Sequence, residues 1–443
     1  MKLVEASRLV LRGESDERAY EIDLCEVGPD RFVVNFRYGP QGSVLREGSR
    51  TPVPVSETEA RRVYERLVAS RQAKGYVDAD AVGPEAVPET EPSPPPSSRD
   101  EVLRRYLDDP SDAWTDLDGI VVRIGELRVG GCTERLVDLL VGASPRRAYN
   151  VVRALLRCGD ESAVPALRSV LESAHPAHVR NLAAHAIVAL ATPEARARFV
   201  AEQTELVPPR FLDALAQPAI DTERLAADLS DQPRVLERLY LVHQPAHRAG
   251  LVTLLRGLSV HPPLWQAIRG VYRAAEARND GEVFGILVSA ISRSWHAYPA
   301  GLWPATRAHF VRRSWRTLFR LGTAGAFGDY VALATGVLLA VDDSDVQPPD
   351  RRGSTSHDLP FRRLWAFNNI LYRASPDHAS NRRALTFWRK PGAPSDSMPA
   401  ERAEAWPEAW NTHPEQLVEL LARSGCAPVH VFAARALREL PAA

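Results

Sequence analysis

Lysine is almost missing from this chain of 443 residues: Lys2, Lys74 and Lys390 are the only three among 55 basic side chains. None of them follows a glycine, which excludes a Walker-type phosphate loop. So many arginines, beside abundant Ala, Pro and Val, fit GC-rich codons. Arginine number alone is therefore no sign of phosphate binding, and only a local charge surplus counts. Cysteine is scarce too. Cys25, Cys132, Cys158 and Cys426 are scattered and form no CxxC pair, which argues against a disulfide scaffold and a zinc ribbon. A reducing cytoplasm is the expected location. A strong net charge is also lacking: the total is −1, so no whole-molecule field draws nucleic acid or membrane. The longest apolar run, residues 331–341, is far short of the roughly 20 residues of a membrane helix. The N-terminus carries no apolar stretch of signal-peptide length.

Catalytic motifs are missing as well. There is no GxSxG, HExxH or GxGxxG in a strand–helix setting. Ser354, Ser356, His357 and Asp358 are neighbours only within a polar loop. His175, His178 and His185 have no carboxylate or cysteine beside them, and Pro245 separates His243 from His247. The acidic run 342–345 lacks the glycine and glutamate of a calcium-binding loop. No enzyme, cofactor or metal is expected.

Residues 77–99 contain six prolines and five acids without an aromatic or a periodicity. Such a segment reads as a disordered acidic linker. It separates a small domain, residues 1–76, from a large remainder, residues 100–443. In the first part, Phe32, Val34, Phe36 and Tyr38 alternate with Val33, Asn35 and Arg37, so the first four face a core and Asn35 and Arg37 face away. Ser56 and Glu59 have capping-box spacing. Ala60, Val63, Tyr64, Leu67 and Val68 then fall on one face of a helix, which Gly75 would cap.

These residues, with the stretch 15–22, the turn Gly39-x-x-Gly42 and the helix end Lys74-Gly75-Tyr76, resemble a WGR domain. That module is best known beside the catalytic domains of poly(ADP-ribose) polymerases, where its tryptophan and arginine pack on a DNA end. Here the Trp-Gly-Arg motif is degenerate and becomes Asn35-Phe36-Arg37. The resemblance implies an α+β fold with Arg37 as a candidate DNA contact. The missing tryptophan implies weak binding of DNA ends.

The remainder reads as all-α. In residues 151–172 a helix ends at Cys158, Gly159-Asp160 turns, and a second helix carries Val164, Leu167, Val170 and Leu171. Residues 179–190 begin the next unit, and residues 432–440 repeat their pattern. These segments resemble HEAT-like repeats, which implies an α-solenoid. A bacterial protein joining a WGR domain to helical repeats is the combination this chain resembles. After residue 440 either the last helix docks across the end of the stack or the natural protein continues.

Charge is uneven along this part. Residues 302–395 carry 14 basic groups against 7 acidic, and no acid occurs between Gly301 and Gly328. On a helix, Phe310, Val311, Trp315, Leu318 and Phe319 form an apolar stripe, with Arg312, Arg313, Arg316 and Arg320 over the rest and Arg307 one turn ahead. Arg312, Arg316 and Arg320 share a ridge at i, i+4, i+8. Like charges so placed repel unless something anionic neutralises them: phosphates, an acidic partner, or acids of neighbouring repeats. Eight of nine tryptophans, Trp265, Trp295, Trp303, Trp315, Trp365, Trp388, Trp406 and Trp410, lie in the C-terminal half and are expected in the core.

The expected function is that of a non-enzymatic adaptor. Nucleic acid would be contacted through Arg37 and through Arg307, Arg312, Arg313, Arg316 and Arg320. A pure protein–protein scaffold is the alternative, and an enzyme with an unrecognised site is a second.

Overall fold

The computed structural model describes residues 2–12, 17–28, 31–40, 46–49, 51, 55–72, 76–78, 98–110, 116–294, 302–346, 360–390 and 401–440. Residues 79–97 of the expected linker lie outside these. So do Gly42, Lys74, Gly75, Trp295, residues 13–16, 441–443, and the cluster Ser354, Ser356, His357 and Asp358. The chain divides into two compact units, 1–97 and 98–443.

The first unit is an antiparallel sheet with one helix. Its strands are β1 Lys2–Arg12, β2 Glu17–Gly28, β3 Arg31–Pro40, β4 Arg46–Ser49 and β5 Val77–Asp78, in the order β4-β3-β2-β1-β5. Val77 and Asp78 therefore pair with Val10 and Leu9. Period-two alternation sends Leu9, Tyr20, Ile22, Leu24, Phe32 and Val34 to one face. There they meet Ala60, Tyr64 and Leu67 of α1 (Glu57–Gln72), while Val63 and Val68 flank the contact. Ser56 Oγ accepts from the Glu59 N–H at 3.4 Å, one half of the expected capping box. The expected stripe fades at its end: Tyr38 is 40% exposed, yet its ring still stacks on Tyr20 at 5.9 Å.

The second unit is mostly helical. It opens with α2 Arg99–Asp108, α3 Leu117–Leu127, α4 Thr133–Asp138, α5 Pro145–Cys158, α6 Val164–Glu172, α7 Ala177–Leu190 and α8 Pro193–Thr204. Helices α5, α6 and α7 follow the sequence pattern closely. Ser144 caps α5, Pro145 takes its first turn, and Val151, Val152 and Leu155 are buried. There follow α9 Pro209–Leu215, α10 Thr222–Asp231, α11 Arg234–Val242, α12 Pro245–Gly257, α13 Pro262–Arg278 and α14 Gly281–Arg293. His243 ends α11 and His247 lies in α12, so the two share no helical face.

Next come α15 Pro304–Thr323, α16 Phe327–Leu339, α17 Asp343–Val346, α18 Trp365–Leu371, α19 Pro407–Asn411, α20 Pro414–Arg423 and α21 Ala427–Arg438. The apolar run 331–341 supplies most of α16, a core helix with Tyr330, Val331, Leu333, Ala334, Val337 and Leu338 buried. Helices α14 and α16 touch backbone to backbone. A Cβ on Gly336 would stand 1.7 Å from the Gly281 carbonyl, and one on Gly285 would stand 1.9 Å from that of Gly336, so only glycine fits. Helices α20 and α21 pack as a pair at the end of the described chain.

One expectation needs correction. The remainder is not all-α, because His378–Asn381 and Thr386–Arg389 form an antiparallel hairpin, β6 and β7. Asn381 Oδ1 accepts from the backbone of Arg383 and Ala384 and so closes the turn, while Phe387 buries its ring. Helices far apart in sequence also touch. Arg157 of α5 donates to the Gly125 carbonyl at 2.8 Å and pairs with Asp329 of α16, which also takes a bidentate grip from Arg128. Arg99 donates to the Ala324 carbonyl at 3.1 Å. These links hold α2–α5 against the α13–α16 layer.

Most described tryptophans are core, as expected, with Trp365 and Trp410 almost wholly buried. Trp303, immediately before α15, is the exception at 61% exposed.

Candidate anion-binding cleft

Helix α15 starts at Pro304, whose fixed φ suits a first turn. Its apolar stripe buries Phe310, Val311, Trp315 and Leu318 as the periodicity predicts, with Ser314 and Leu321 added. Phe319 is half-out and packs on Trp406 at 5.6 Å.

The arginines do not share one environment. Arg307 is half-buried and donates to the Ser294 carbonyl at 3.1 Å. Burial, with Arg363 nearby, lowers its pKa. Arg312 is exposed and donates to the Arg383 carbonyl of the β6–β7 turn at 3.2 Å. Arg320 stands 3.7 Å from the buried carboxylate of Glu126 on α3. Arg316 is exposed and makes no ion pair with any described residue. Arg313 turns inward. Its Nε lies 3.2 Å from Glu276 of α13, its Nη2 bonds the same carboxylate, and that nitrogen also reaches the Tyr149 hydroxyl at 2.8 Å. Acids of neighbouring helices thus neutralise Arg313 and Arg320, and the ridge keeps Arg312 and Arg316 outward. Arg37, in the first unit, is held between Glu21 at 3.2 Å and Asp23 at 3.1 Å on the outer face of the sheet.

Glu276 is 1% exposed and also accepts from Thr317. Burial alone would raise its carboxyl. The Arg313 and Arg153 guanidiniums, with the hydrogen bonds from Arg313 and Thr317, outweigh burial and hold it at about 2.

Around this pair α3, α5, α13 and α15 leave a cleft of about 140 Å³. Arg153, Arg313, Arg316 and Arg320 line it against the single carboxylate of Glu276, with Tyr149, Asn150 and His309 beside them. Arg153 is 9% exposed, and its Nε is buried without a hydrogen-bond partner. Behind Tyr149, Arg273 stacks 5.6 Å from the ring, and its Nε and Nη1 are likewise buried without a partner. Two histidines nearby are shifted as well. Burial lowers His178 to about 4, with Arg273, Arg269 and Arg313 contributing. His309 falls for the same reason, with Arg313 and Arg316 the next causes. Both shifts disfavour the imidazolium form, through burial first and the guanidiniums second.

The charge count found Arg313, Arg316 and Arg320 but not Arg153, Tyr149 or Glu276. The only sequence signal for Glu276 is a carboxylate between the small apolar residues Ala274-Ala275 and Ala277, where an acid is out of place without a buried partner. His175, His178 and His185 are not gathered with other ligands. Among the described residues no group of His, Cys, Asp and Glu could hold a metal ion. No described helix is long and apolar enough to cross a membrane.

Residues 133–202, which span α4 to α8 up to Glu202, match the family model for HEAT repeats. No curated protein and no solved structure matches the chain.

Proposed function

We propose that the protein is a non-enzymatic adaptor whose helical unit docks an acidic segment of a partner protein. The observation that carries this reading is the cleft at α15, where four guanidiniums face one carboxylate. The HEAT repeats of residues 133–202 support it, because stacked helix pairs present extended binding surfaces. On this reading the helical unit acts as a solenoid-like platform in a reducing cytoplasm, and the WGR-like unit is a docking module.

Nucleic-acid contact is a second reading, favoured by the outward ridge of Arg312 and Arg316. Pairing of Arg37 with two acids and of Arg320 with Glu126 leaves it less free charge. The test is a polarisation titration of the full chain with a labelled Asp/Glu-rich peptide, duplex DNA and single-stranded DNA at two salt concentrations. The adaptor reading expects salt-sensitive peptide binding that Arg316→Glu/Arg320→Glu abolishes while circular dichroism is unchanged. DNA binding with a steep salt slope and no peptide binding would transfer the assignment to nucleic acid. Binding to neither would refute both.

A further inference from the structure

We propose that the cleft between α3, α5, α13 and α15 is a phosphate-monoester pocket, and that it takes a phosphorylated side chain of the partner. This rests on the adaptor reading and adds the chemistry of the group recognised.

The charge balance comes first. Glu276 neutralises Arg313, and Glu126 on the rim partly offsets Arg320. Arg153 and Arg316 are left, two positive charges in a space shared with Tyr149 and Asn150. A carboxylate would leave one of them uncompensated. A phosphate monoester carries about −1.5 to −2 at neutral pH and matches both.

The hydrogen-bonding inventory gives the second argument. Arg153 is nine-tenths buried with a donor that meets no acceptor. A buried charged donor left unpaired is costly, and each such group calls for a reason. The Tyr149 hydroxyl accepts from Arg313, so its own proton remains to be donated. Arg153, Arg316 and Tyr149 line one small space, and guanidinium and phenol groups suit an acceptor-only, many-oxygen ligand.

Size gives the third. About 140 Å³ equals the liquid volume of roughly four or five waters, enough for a phosphoryl group and its bridging oxygen. A wider groove of about 580 Å³ adjoins it through Val122, Asn150 and Arg320, giving the flanking chain somewhere to lie. That groove is lined by Asp116, Asp118 and Glu126 as well as Arg123 and Arg146, so it adds little net attraction for a second anion. The phosphate preference is confined to the inner cleft.

The experiment uses the full chain. Thermal unfolding is followed with sodium phosphate and with sodium chloride at matched ionic strength. Polarisation then compares three peptides, identical except for phosphoserine, glutamate or serine at one position. The proposal expects phosphate but not chloride to raise the melting temperature. It also expects the phosphoserine peptide to bind at least roughly tenfold tighter than the glutamate peptide. Arg316→Gln, at an exposed position, should weaken both effects by roughly tenfold or more, as loss of a charge-assisted hydrogen bond does. The ring-proton titration of His309 should move up in phosphate. Arg153→Gln removes the buried donor, and if it fails to fold, Arg316→Gln and His309 still decide. Equal effects of phosphate and chloride, or unchanged binding by Arg316→Gln, would overturn the pocket. Equal binding of glutamate and phosphoserine peptides would overturn it while leaving the adaptor reading standing. Phosphate binding without any peptide preference would support the pocket and overturn its protein ligand, assigning it to a small phosphorylated molecule.

Discussion

Replacing Glu276 by glutamine is the sharpest perturbation the helical unit offers. The side chain is 1% exposed and receives Arg313 and Thr317. Its carboxyl titrates at about 2 in the folded chain against an ordinary 4.5. At about 1.36 kcal/mol per pH unit, that gap is on the order of 3 kcal/mol. A depressed acid stabilises the fold fully above its unfolded pKa. The contribution is therefore intact above pH 4.5 and is lost as pH falls toward 2. Glu276→Gln removes it at every pH and leaves Arg313 and Arg153 facing each other, and breaking such a buried pair costs about 3–5 kcal/mol. For the 346 residues of the second unit, an unfolding entropy of about 2.1 cal/mol/K per residue gives about 0.7 kcal/mol/K. The expected drop in melting temperature at pH 7 is then about 5 °C by circular dichroism. The difference from wild type should shrink below pH 4.5. Glu276→Gln/Arg313→Met should recover much of the loss, because the surplus charge goes with the acid. A drop under about 1 °C, or a double variant no better than the single one, would refute the reasoning.

Gly336→Ala should cost more than about 3 kcal/mol or prevent folding, since its methyl would meet the Gly281 carbonyl; chemical denaturation checks this. Arg37→Gln should leave DNA affinity unchanged in a polarisation assay, because Glu21 and Asp23 already engage the guanidinium. A drop of tenfold or more would put Arg37 on the DNA. Limited proteolysis should cut within residues 79–97 and release a helical fragment that keeps its circular dichroism, as the division into two units implies. Resistance of that stretch would count against separability.

Where periodicity is set by local burial, the sequence was a good guide. The alternation through Phe32 and Val34, the face of α1, and helices α5 to α7 with their Gly159-Asp160 turn all follow from a two- or near-fourfold spacing of apolar side chains. The β6–β7 hairpin escaped because its strands are four residues each and sit among arginines and asparagine, too short for alternation to stand out. The cleft was half-legible. A run without acids marks α15 as basic, but which arginine turns inward depends on where a carboxylate waits. Glu276 is 37 residues before Arg313, and Asp329 is 172 after Arg157. Such pairings are fixed by the packing of distant helices, which spacing within one helix does not encode.

The same pairings explain why the cleft is polar at all. Buried ion pairs seldom stabilise more than well-packed apolar residues of similar volume would. Arg157 with Asp329 and Arg313 with Glu276 join helices far apart in sequence, and an apolar substitute could slide where directional ion pairs, bidentate from Arg313, fix both partners. With Glu276 satisfied by Arg313 and Thr317, it has little capacity left for Arg153, whose Nε stays without an acceptor. Arg153 still helps to keep the buried Glu276 ionised through space, and the proposed pocket would give its unpaired donor a further reason.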